Sequence, residues 1–382
     1  MKNERFKVKS EDAMHPRSLR ILQFALCNFH FAIRITLWAL LLIPAPARAQ
    51  QNAEELLSQL NKLPAAERRQ KLLDGAKQDR EVSVYASFTE ANTLGNAFRK
   101  QHPSVAVNIR RLGGGRLLDI TVTEFRAGKH LVDVFIGGST SGRPLVEAGV
   151  IGRYVSPERA FLDAHLKDEK GYWTAFFSRH LVFAYNTTLV PAARLPKTYF
   201  DLLDPYWKGK LAIDDHPGNW LAGMVKAYGK EKATELLQGV VRQAPKIIRG
   251  RTLKGQLLAA GEFHAAVDQT EESVIEIKKK GAPVDYALLE NTPVLTNPVL
   301  LAKNAPHPYA AALFVDYLLS SAGQQAVVDI DYVPTRQGFK PKNQELAARA
   351  AKAKLVFFDL DWFGERQKEI NDLIKENLRP HR

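Results

Sequence analysis

The chain has almost no cysteine, and its single one, Cys27, lies within the first 49 residues. Residues 50–382 therefore hold none. This absence excludes disulfides, thiolate metal sites and cysteine nucleophiles from that part of the chain. An exported protein without disulfides needs a large hydrophobic core, and about 330 residues can supply one or two.

Long apolar runs are also scarce. The run from Ile35 to Ile43 is too short to span a bilayer. It follows a basic segment and precedes Ala47-Arg48-Ala49, which has the form of a signal-peptidase site. We expect a signal peptide over residues 1–49, cleaved near Ala49/Gln50, and a mature protein in the periplasm. An uncleaved anchor is the alternative, and Met14 is an alternative start.

The familiar catalytic motifs are missing as well. No phosphate loop ends in Gly-Lys-Ser/Thr, and no H-E-x-x-H is present. Ser139 and Ser141 lack the glycine pattern of a nucleophile elbow. The histidines after residue 49 form no pair spaced by four residues. We therefore expect no catalytic residue, no metal site and no cofactor, and an exported enzyme remains the alternative of another class.

The formal net charge is +13, but the first 49 residues hold eight basic and three acidic residues. The rest of the chain carries an excess of eight positive charges, spread along it with only short runs such as Lys278-Lys279-Lys280. No dense basic stripe interleaved with aromatic residues is present, so we expect no nucleic-acid partner. A mild positive field favours an anionic ligand.

The first segment after residue 50 has helical spacing of leucines, with a break at Pro64. Proline fits the first position of a helix, so the pattern predicts one helix before Pro64 and a second from Ala65 to Lys77. We interpret residues 50–80 as a packing appendage. A contact surface for a partner is the alternative.

From Glu81 the pattern alternates between strands and helices. Predicted strands cover Glu81–Ala86, Val105–Arg111 and Val132–Ile136, and a helix follows each of them. Three such units with short loops predict an α/β fold with a parallel sheet and right-handed crossovers.

The loops after these three strands carry small polar residues and glycines. Each loop alone is explained as well by a turn or a helix cap. Three helix N-termini at one sheet edge favour an anion site, because their free N–H groups point at one place. The predicted ligand-binding residues of this rim are Ser87, Thr89, Gly114, Gly115, Ser139 and Thr140.

The most distinctive stretch is Tyr199 to Trp220, YFDLLDPYWKGKLAIDDHPGNW. Leu211 to Ile213 is uniformly apolar and predicts a short strand in a covered sheet. Asp214, Asp215 and His216 follow it, at the end of a strand where open α/β sheets bind ligands. This cluster is either a turn stabilised by aspartate side chains or a site.

This stretch resembles the phrase W-x-D-L-L-D-P-x-W-K-G-K of the type 2 periplasmic solute-binding proteins of ABC importers, in the subgroup labelled ferric-iron or extracellular solute-binding. Further matching segments are Gly171 to Thr174, His180 to Thr187, His307 to Gln324 and Asp331 to Arg336. The resemblance covers about residues 78–377.

The resemblance implies two domains, each a mostly parallel sheet flanked by helices, joined by hinge crossings. Domain 1 is expected at 81–178 plus 297–345, and domain 2 at 179–296 plus 346–382. The protein is then the solute-binding component of an ABC importer, a monomer that closes on a small solute and delivers it to an inner-membrane permease. Asp215 and Gln269 are expected to face the rim from domain 2.

The ligand is left open by the sequence. Ferric-binding members of the family use a Tyr-Tyr pair after the strand that corresponds to Ala265–Asp268. Here that position reads Gln269-Thr270-Glu271-Glu272. We interpret the glutamates as a solvated helix start, with carboxylate ligands as the alternative. We therefore expect an anionic or organic solute, with a ferric or other metal ion as the alternative.

Overall fold

A computed structural model describes residues 52–358 and 360–378. The predicted signal peptide, its cleavage site and Met14 lie outside the described residues. The helices are α1 Ala53–Leu60, α2 Ala65–Asp79, α3 Ala91–Gln101, α4 Gly114–Arg126, α5 Ser139–Glu147, α6 Gly218–Tyr228, α7 Lys230–Arg242, α8 Arg251–Ala259, α9 Glu271–Lys279, α10 Pro308–Leu319, α11 Ser321–Asp329, α12 Gln344–Ala350 and α13 Leu360–Leu378. The strands are β1 Glu81–Ala86, β2 Ala106–Arg111, β3 Val134–Ile136, β4 Ile151–Gly152, β5 Thr174–Asn186, β6 Leu211–Asp214, β7 Lys246–Ile248, β8 Ala265–Thr270, β9 Val284–Ala287, β10 Thr292–Ala302, β11 Val333–Pro334 and β12 Leu355–Phe357. Short 3₁₀ turns cover Pro157–Phe161, Ala164–Leu166, Ala192–Arg194, Tyr199–Leu203 and Pro205–Trp207.

Strand β1 lies between β2 and β3 and is parallel to both. The three predicted strand–helix units therefore form a parallel sheet, as the sequence predicts. Their buried side chains, together with those of α10, form the main apolar cluster of what we call the first lobe.

The second lobe is built around β6, which is parallel to both β7 and β8. Leu211, Ala212 and Ile213 of β6 are fully buried, which confirms the prediction of a covered strand. Leu211 and Ile213 belong to an apolar cluster on one face of this sheet, and Ala212 belongs to another. Alternate residues of a strand point to opposite faces, so helices must cover both faces of this sheet.

Two long strands, β5 and β10, connect the lobes and pair with each other in antiparallel orientation. Phe177 of β5 lies in the first-lobe cluster, whereas Leu181 and Phe183 lie in a second-lobe cluster. The pairing is interrupted between Asn297 and Pro298. Proline has no backbone N–H to donate, which is why prolines inside strands are associated with such irregularities.

The N-terminal helices α1 and α2 pack on the first lobe. Leu57, Leu60 and Leu72 are buried in its cluster. The Arg68 guanidinium donates to Tyr154 Oη at 2.6 Å and lies 2.9 Å from Asp316 Oδ2 on α10. Pro64 is the N-cap of α2 rather than its first helical residue.

Two helices begin earlier than the sequence predicts. Helix α4 starts at Gly114 instead of Arg116, and α5 starts at Ser139 instead of Arg143. Glycine and serine have low helix propensity and make such a start hard to recognise. Their cost is small here because the first turn of a helix has no intrahelical partner for its N–H groups.

The division into two domains at the predicted boundaries stays a prediction. One observation bears on it: Leu360, the first residue of α13, belongs to the first-lobe cluster, whereas Phe363 belongs to the second. Over residues 52–358 and 360–378, each helix falls short of the length and apolar character that crossing a bilayer requires.

Candidate solute-binding cleft

A cleft of about 570 Å³ lies between the lobes, at the carboxyl ends of the parallel strands. The sequence places small or polar residues at these ends, and ligands bind there in open α/β sheets. The lining comprises Ser87, Gly115, Leu118 and Gly138 from the first lobe; Arg179, Leu295, Thr296 and Asn297 from the connecting strands; Asp214, Asp215, His216, Gly218, Asn219, Arg249, Gly250 and Arg251 from the second lobe; and Phe363, Gln367, Asn371 and Ile374 from α13.

Four helices begin at this cleft: α4 and α5 from the first lobe, and α6 and α8 from the second. Their N-cap residues are Gly113, Gly138, Pro217 and Gly250. Glycine and proline have no side chain that can accept a hydrogen bond from the first turn. These four N-cap residues supply no carboxylate or hydroxyl cap, and the positive ends of the helix dipoles lie at the cleft, an arrangement that binds anions.

Arg179 projects from β5 into the cleft. Its Nη1 lies 3.2 Å from Glu272 Oε1, and its Nη2 donates to Asn297 Oδ1 at 3.0 Å. Arg179 Nε, Glu272 Oε2 and Asn297 Nδ2 are buried and have no partner within the described residues. Buried polar atoms normally have partners, so these atoms indicate space for a polar ligand or water.

Arg249 and Arg251 extend the positive charge along the second lobe. Within the described part of the chain, neither guanidinium forms an ion pair. Burial lowers the pKa of Arg251, and the nearby charge of Arg179 lowers it further. An anion placed between Arg179 and Arg251 would relieve this repulsion.

Beneath the arginines, the fully buried Lys254 contacts the carboxylate of Asp268, and its Nζ lies 3.6 Å from Asp214 Oδ2. Burial opposes ionisation of Asp214, but the charge of Lys254 and the N–H of His216 together hold the pKa of this carboxyl below its ordinary value. Both carboxylates thus lie against the same buried cation, Lys254. Their charges are partly cancelled before any ligand arrives.

The start of α9 differs from the prediction. Glu271 is buried, and its carboxylate accepts from the His180 backbone N–H at 2.6 Å and lies 3.1 Å from His180 Nδ1. Glu272 is bound to Arg179. The interpretation of these glutamates as a solvated helix start is wrong, because both pair with consecutive residues of β5, Arg179 and His180.

Only some of the ligand-binding residues predicted from the sequence line the cleft. Ser87, Gly115 and Asp215 line the cleft. Thr89 is exposed and is not among the lining residues. Gln269 is not either: it is fully buried, and its Nε2 donates to the Arg251 backbone oxygen at 2.9 Å.

Three further predicted residues cannot be placed in this way. The side chains of Ser139 and Thr140, and the surroundings of Gly114, lie outside the described part of the structure. The backbone of Ser139 begins α5, next to the cleft residue Gly138.

Asp214 and His216 confirm one of the two interpretations left open for their cluster. The His216 N–H donates to Asp214 Oδ1 at 3.1 Å, which is a turn closed by an aspartate side chain. The same residues line the cleft together with Asp215. The turn and the candidate site therefore coincide.

Sequence reasoning missed Arg179, Arg251, Asn297 and the cleft face of α13. A signal exists for Arg179 and His180, since both interrupt an otherwise apolar strand. No local pattern marks Arg251, whose place in the cleft depends on the pairing of β7 with β6.

The described residues give little support for a metal site in the cleft. Among residues 52–358 and 360–378, no group of three or more histidine, aspartate or glutamate residues is arranged to hold a metal ion. No tyrosine is among the described residues that line the cleft.

A model of the bacterial extracellular solute-binding protein family matches residues 129–363. The chain belongs to this family. The family consists of solute-binding proteins and not of enzymes, which agrees with the absence of catalytic motifs from the sequence.

This solute-binding protein has curated relatives whose names refer to iron. It is 26% identical over 202 residues to Iron uptake protein A1 of Synechocystis sp. (strain ATCC 27184 / PCC 6803 / Kazusa), a match that covers 48% of this chain and 55% of the relative. The chain spans about half the length of the curated relatives that it matches.

Solved structures extend the likeness to nearly the whole of other proteins. Iron-bound HitA from Pseudomonas aeruginosa has a TM-score of 0.68 at 24% identity, covering 78% of this chain and 98% of HitA. AfuA from Actinobacillus pleuropneumoniae, solved with exogenous fructose-6-phosphate, has a TM-score of 0.67 at 21% identity, covering 79% and 99%. These matches establish the type 2 periplasmic binding fold of the solute-binding protein.

Proposed function

We propose that this protein is the periplasmic receptor of an ABC-type importer and that it captures an anionic organic solute in the cleft between its lobes. It then delivers the solute to an inner-membrane permease. The observation that carries the proposal is the meeting of Arg179 and Arg251 with four helix N-termini in one cleft.

The charges around the cleft support an anion rather than a free cation. Asp214 and Asp268 are occupied by Lys254, and Glu272 by Arg179. Arg249 and Arg251 have no carboxylate within ion-pair distance among the described residues. Arginine binds carboxylate and phosphate groups through two parallel hydrogen bonds, so these residues suit either class of anion.

The buried amide and hydroxyl groups support a solute with polar groups besides its charge. Asn297 Nδ2 and Thr296 Oγ1 have no partner in the described structure, and both residues line the cleft. A solute hydroxyl or carbonyl can satisfy them. A cleft of about 570 Å³ falls in the size range of small-molecule sites.

A ferric ion is the second candidate, and the names of the relatives favour it over an organic solute. Iron uptake protein A1 and iron-bound HitA are named for iron. Iron held by an anionic chelator would suit this cleft, because the arginines can bind the chelator. The IdiA/FutA structure from Trichodesmium, solved with iron and citrate, is a precedent for such a pair in this fold.

Thermal unfolding with a panel of inorganic phosphate, citrate, fructose 6-phosphate and ferric citrate distinguishes these candidates. At a hundredfold excess over its dissociation constant, a ligand stabilises the fold by about 2.7 kcal/mol. For a chain of this length the melting temperature rises by roughly 5 °C.

We expect a saturable rise with at least one metal-free anion in the presence of a chelator such as EDTA. A rise with ferric citrate but with no metal-free anion would establish the iron candidate instead. Turnover of a bound anion would support an exported enzyme.

A further inference from the structure

The C-terminal helix α13 is divided between the two lobes. Its first residue, Leu360, is fully buried in the first-lobe cluster. The apolar residues after it belong to a second-lobe cluster; they are Phe363, Ile370, Leu373, Ile374 and Leu378. A rigid helix cannot follow both lobes if these move apart.

Helix α13 packs against the first-lobe helix α5 at two glycines, Gly142 of α5 and Gly364 of α13. Each glycine lies against a side chain of the other helix. A Cβ added at Gly142 would lie 1.9 Å from Leu360 Cδ2. A Cβ added at Gly364 would lie 2.3 Å from Arg143 Cγ. Neither glycine leaves room for a methyl group, so a side chain of each helix packs directly against the backbone of the other.

An ion pair lies at the edge of this contact. Arg143 Nη1 lies 3.1 Å from Asp361 Oδ1, while its Nε lies 2.7 Å from Glu147 Oε1 on its own helix. Both acids are half exposed. Exposed ion pairs contribute little stability. The packing of Leu360 and Arg143 against the two glycines therefore provides most of the stability of this contact, and the ion pair fixes the register of the two helices.

The same helix faces the cleft. Phe363, Gln367, Asn371 and Ile374 are spaced one turn apart, and all four line the cavity. Helix α5 reaches the cleft at its N-cap residue Gly138, one turn before Gly142. The contact between α5 and α13 therefore joins two elements that a bound solute would also touch.

We propose that α13 is a releasable latch: the seating of Leu360 against Gly142 holds the lobes together, in addition to the connecting strands β5 and β10. Five buried apolar residues keep α13 on the second lobe against one on the first. When the lobes separate, Leu360 leaves the first lobe and the rest of the helix stays. Leu360, Gly142 and Gly364 are positioning residues in this scheme, which rests on the proposed function in the sense that a receptor closes its lobes on the solute.

A reversible crosslink tests the latch without any solute. Leu360 Cγ lies 3.0 Å from an ideal Cβ at position 142, so the two Cβ atoms fall within the span of a disulfide. The variant combines Gly142→Cys and Leu360→Cys with Cys27→Ser, which leaves only the engineered thiols.

We expect the radius of gyration of the oxidised variant, measured by X-ray scattering, to be smaller than that of its reduced form. Hydrogen exchange of the α5 amides should be slower when the crosslink is closed. If both quantities are the same in the two redox states, α13 never leaves α5 and the latch is refuted.

A truncation pair gives a second test. Leu360→Ala removes the apolar contact with the first lobe, and Leu378→Ala removes a similar buried contact from the second lobe alone. Both lower the melting temperature, but only Leu360→Ala should enlarge the radius of gyration of the solute-free protein. Equal radii for the two variants would contradict the latch.

These measurements require no bound anion, so their failure is distinct from a failure of the proposed function. If the latch is found but no anion binds, the lobes still close and only the proposed solute is wrong. If an anion binds but no latch is found, the proposed solute stands and the connecting strands alone control closure.

Discussion

The guanidinium of Arg179 and the carboxylate of Glu272 lie 3.2 Å apart at the junction between the lobes. The next residue of β5, His180, contacts Glu271, the residue that precedes Glu272. The connecting strand β5 is thus tied to the start of α9 by two consecutive pairs. Because Arg179 also lines the cleft, a bound anion and Glu272 compete for the same cation.

Replacing Arg251 with glutamine should weaken anion binding strongly. A hydrogen bond to a charged group contributes about 1.5–3 kcal/mol, which is roughly a tenfold to hundredfold change in the dissociation constant. Isothermal titration with an anion identified in the thermal panel measures it. Arg242→Gln, at the exposed end of α7, is the matched control. Equal affinities of the two variants would remove Arg251 from the site.

Replacing Lys254 with methionine should destabilise the fold. Asp214 and Asp268 would then be left without their buried cation, and breaking a buried ion pair typically costs about 3–5 kcal/mol. Urea unfolding measures the difference in the free energy of unfolding. Lys246→Met removes an exposed pair with Glu262 and should cost less than about 1 kcal/mol. A Lys254 variant as stable as the Lys246 variant would show that the buried cluster makes no net contribution to the free energy of unfolding.

His307 should make stability depend on pH near neutrality. Its Nδ1 lies 2.9 Å from the buried Asp133, and this hydrogen bond raises the pKa of His307. A raised pKa stabilises the folded state most below the unfolded value of about 6.5. That contribution is lost as the pH rises through the folded pKa, so His307→Gln should flatten the stability profile there.

His264 provides a control of opposite sign. Burial lowers its pKa, and the charge of Lys210 lowers it further. The unfolded chain then binds the proton more readily, so this residue destabilises the fold as the pH falls through about 6.5. His264→Gln should improve stability at mildly acidic pH. Identical profiles for both variants would show that neither histidine is coupled to folding.

Titration with ferric citrate should produce no strong absorption band in the visible range. Such a band arises from phenolate bound to ferric iron, and no tyrosine lines the described cleft. An absorption spectrum at each addition provides the measurement. A saturable coloured complex would contradict this expectation and favour the iron candidate.

Much of the fold follows from local sequence patterns. The alternation of strands and helices after Glu81 predicts the parallel arrangement of β1, β2 and β3, and the apolar run at Leu211 predicts a buried strand. Both are confirmed, because hydrophobic periodicity and strand burial are set by neighbouring residues. The glycines and small polar residues after the strands also predict a ligand edge, although Thr89 and Gln269 do not line it.

Only the tertiary structure decides which distant residues meet. Arg179 and Glu272 are 93 positions apart, and Arg143 and Asp361 are 218 apart. Their contacts depend on strand register and on the close approach of two helices, neither of which leaves a periodic trace in the sequence. The sequence by itself determined the family, the order of the elements and the edge of the sheet at which the candidate cleft lies. The packing of those elements decided the charge of the cleft and the placement of α13, because both result from side chains that converge from separate segments.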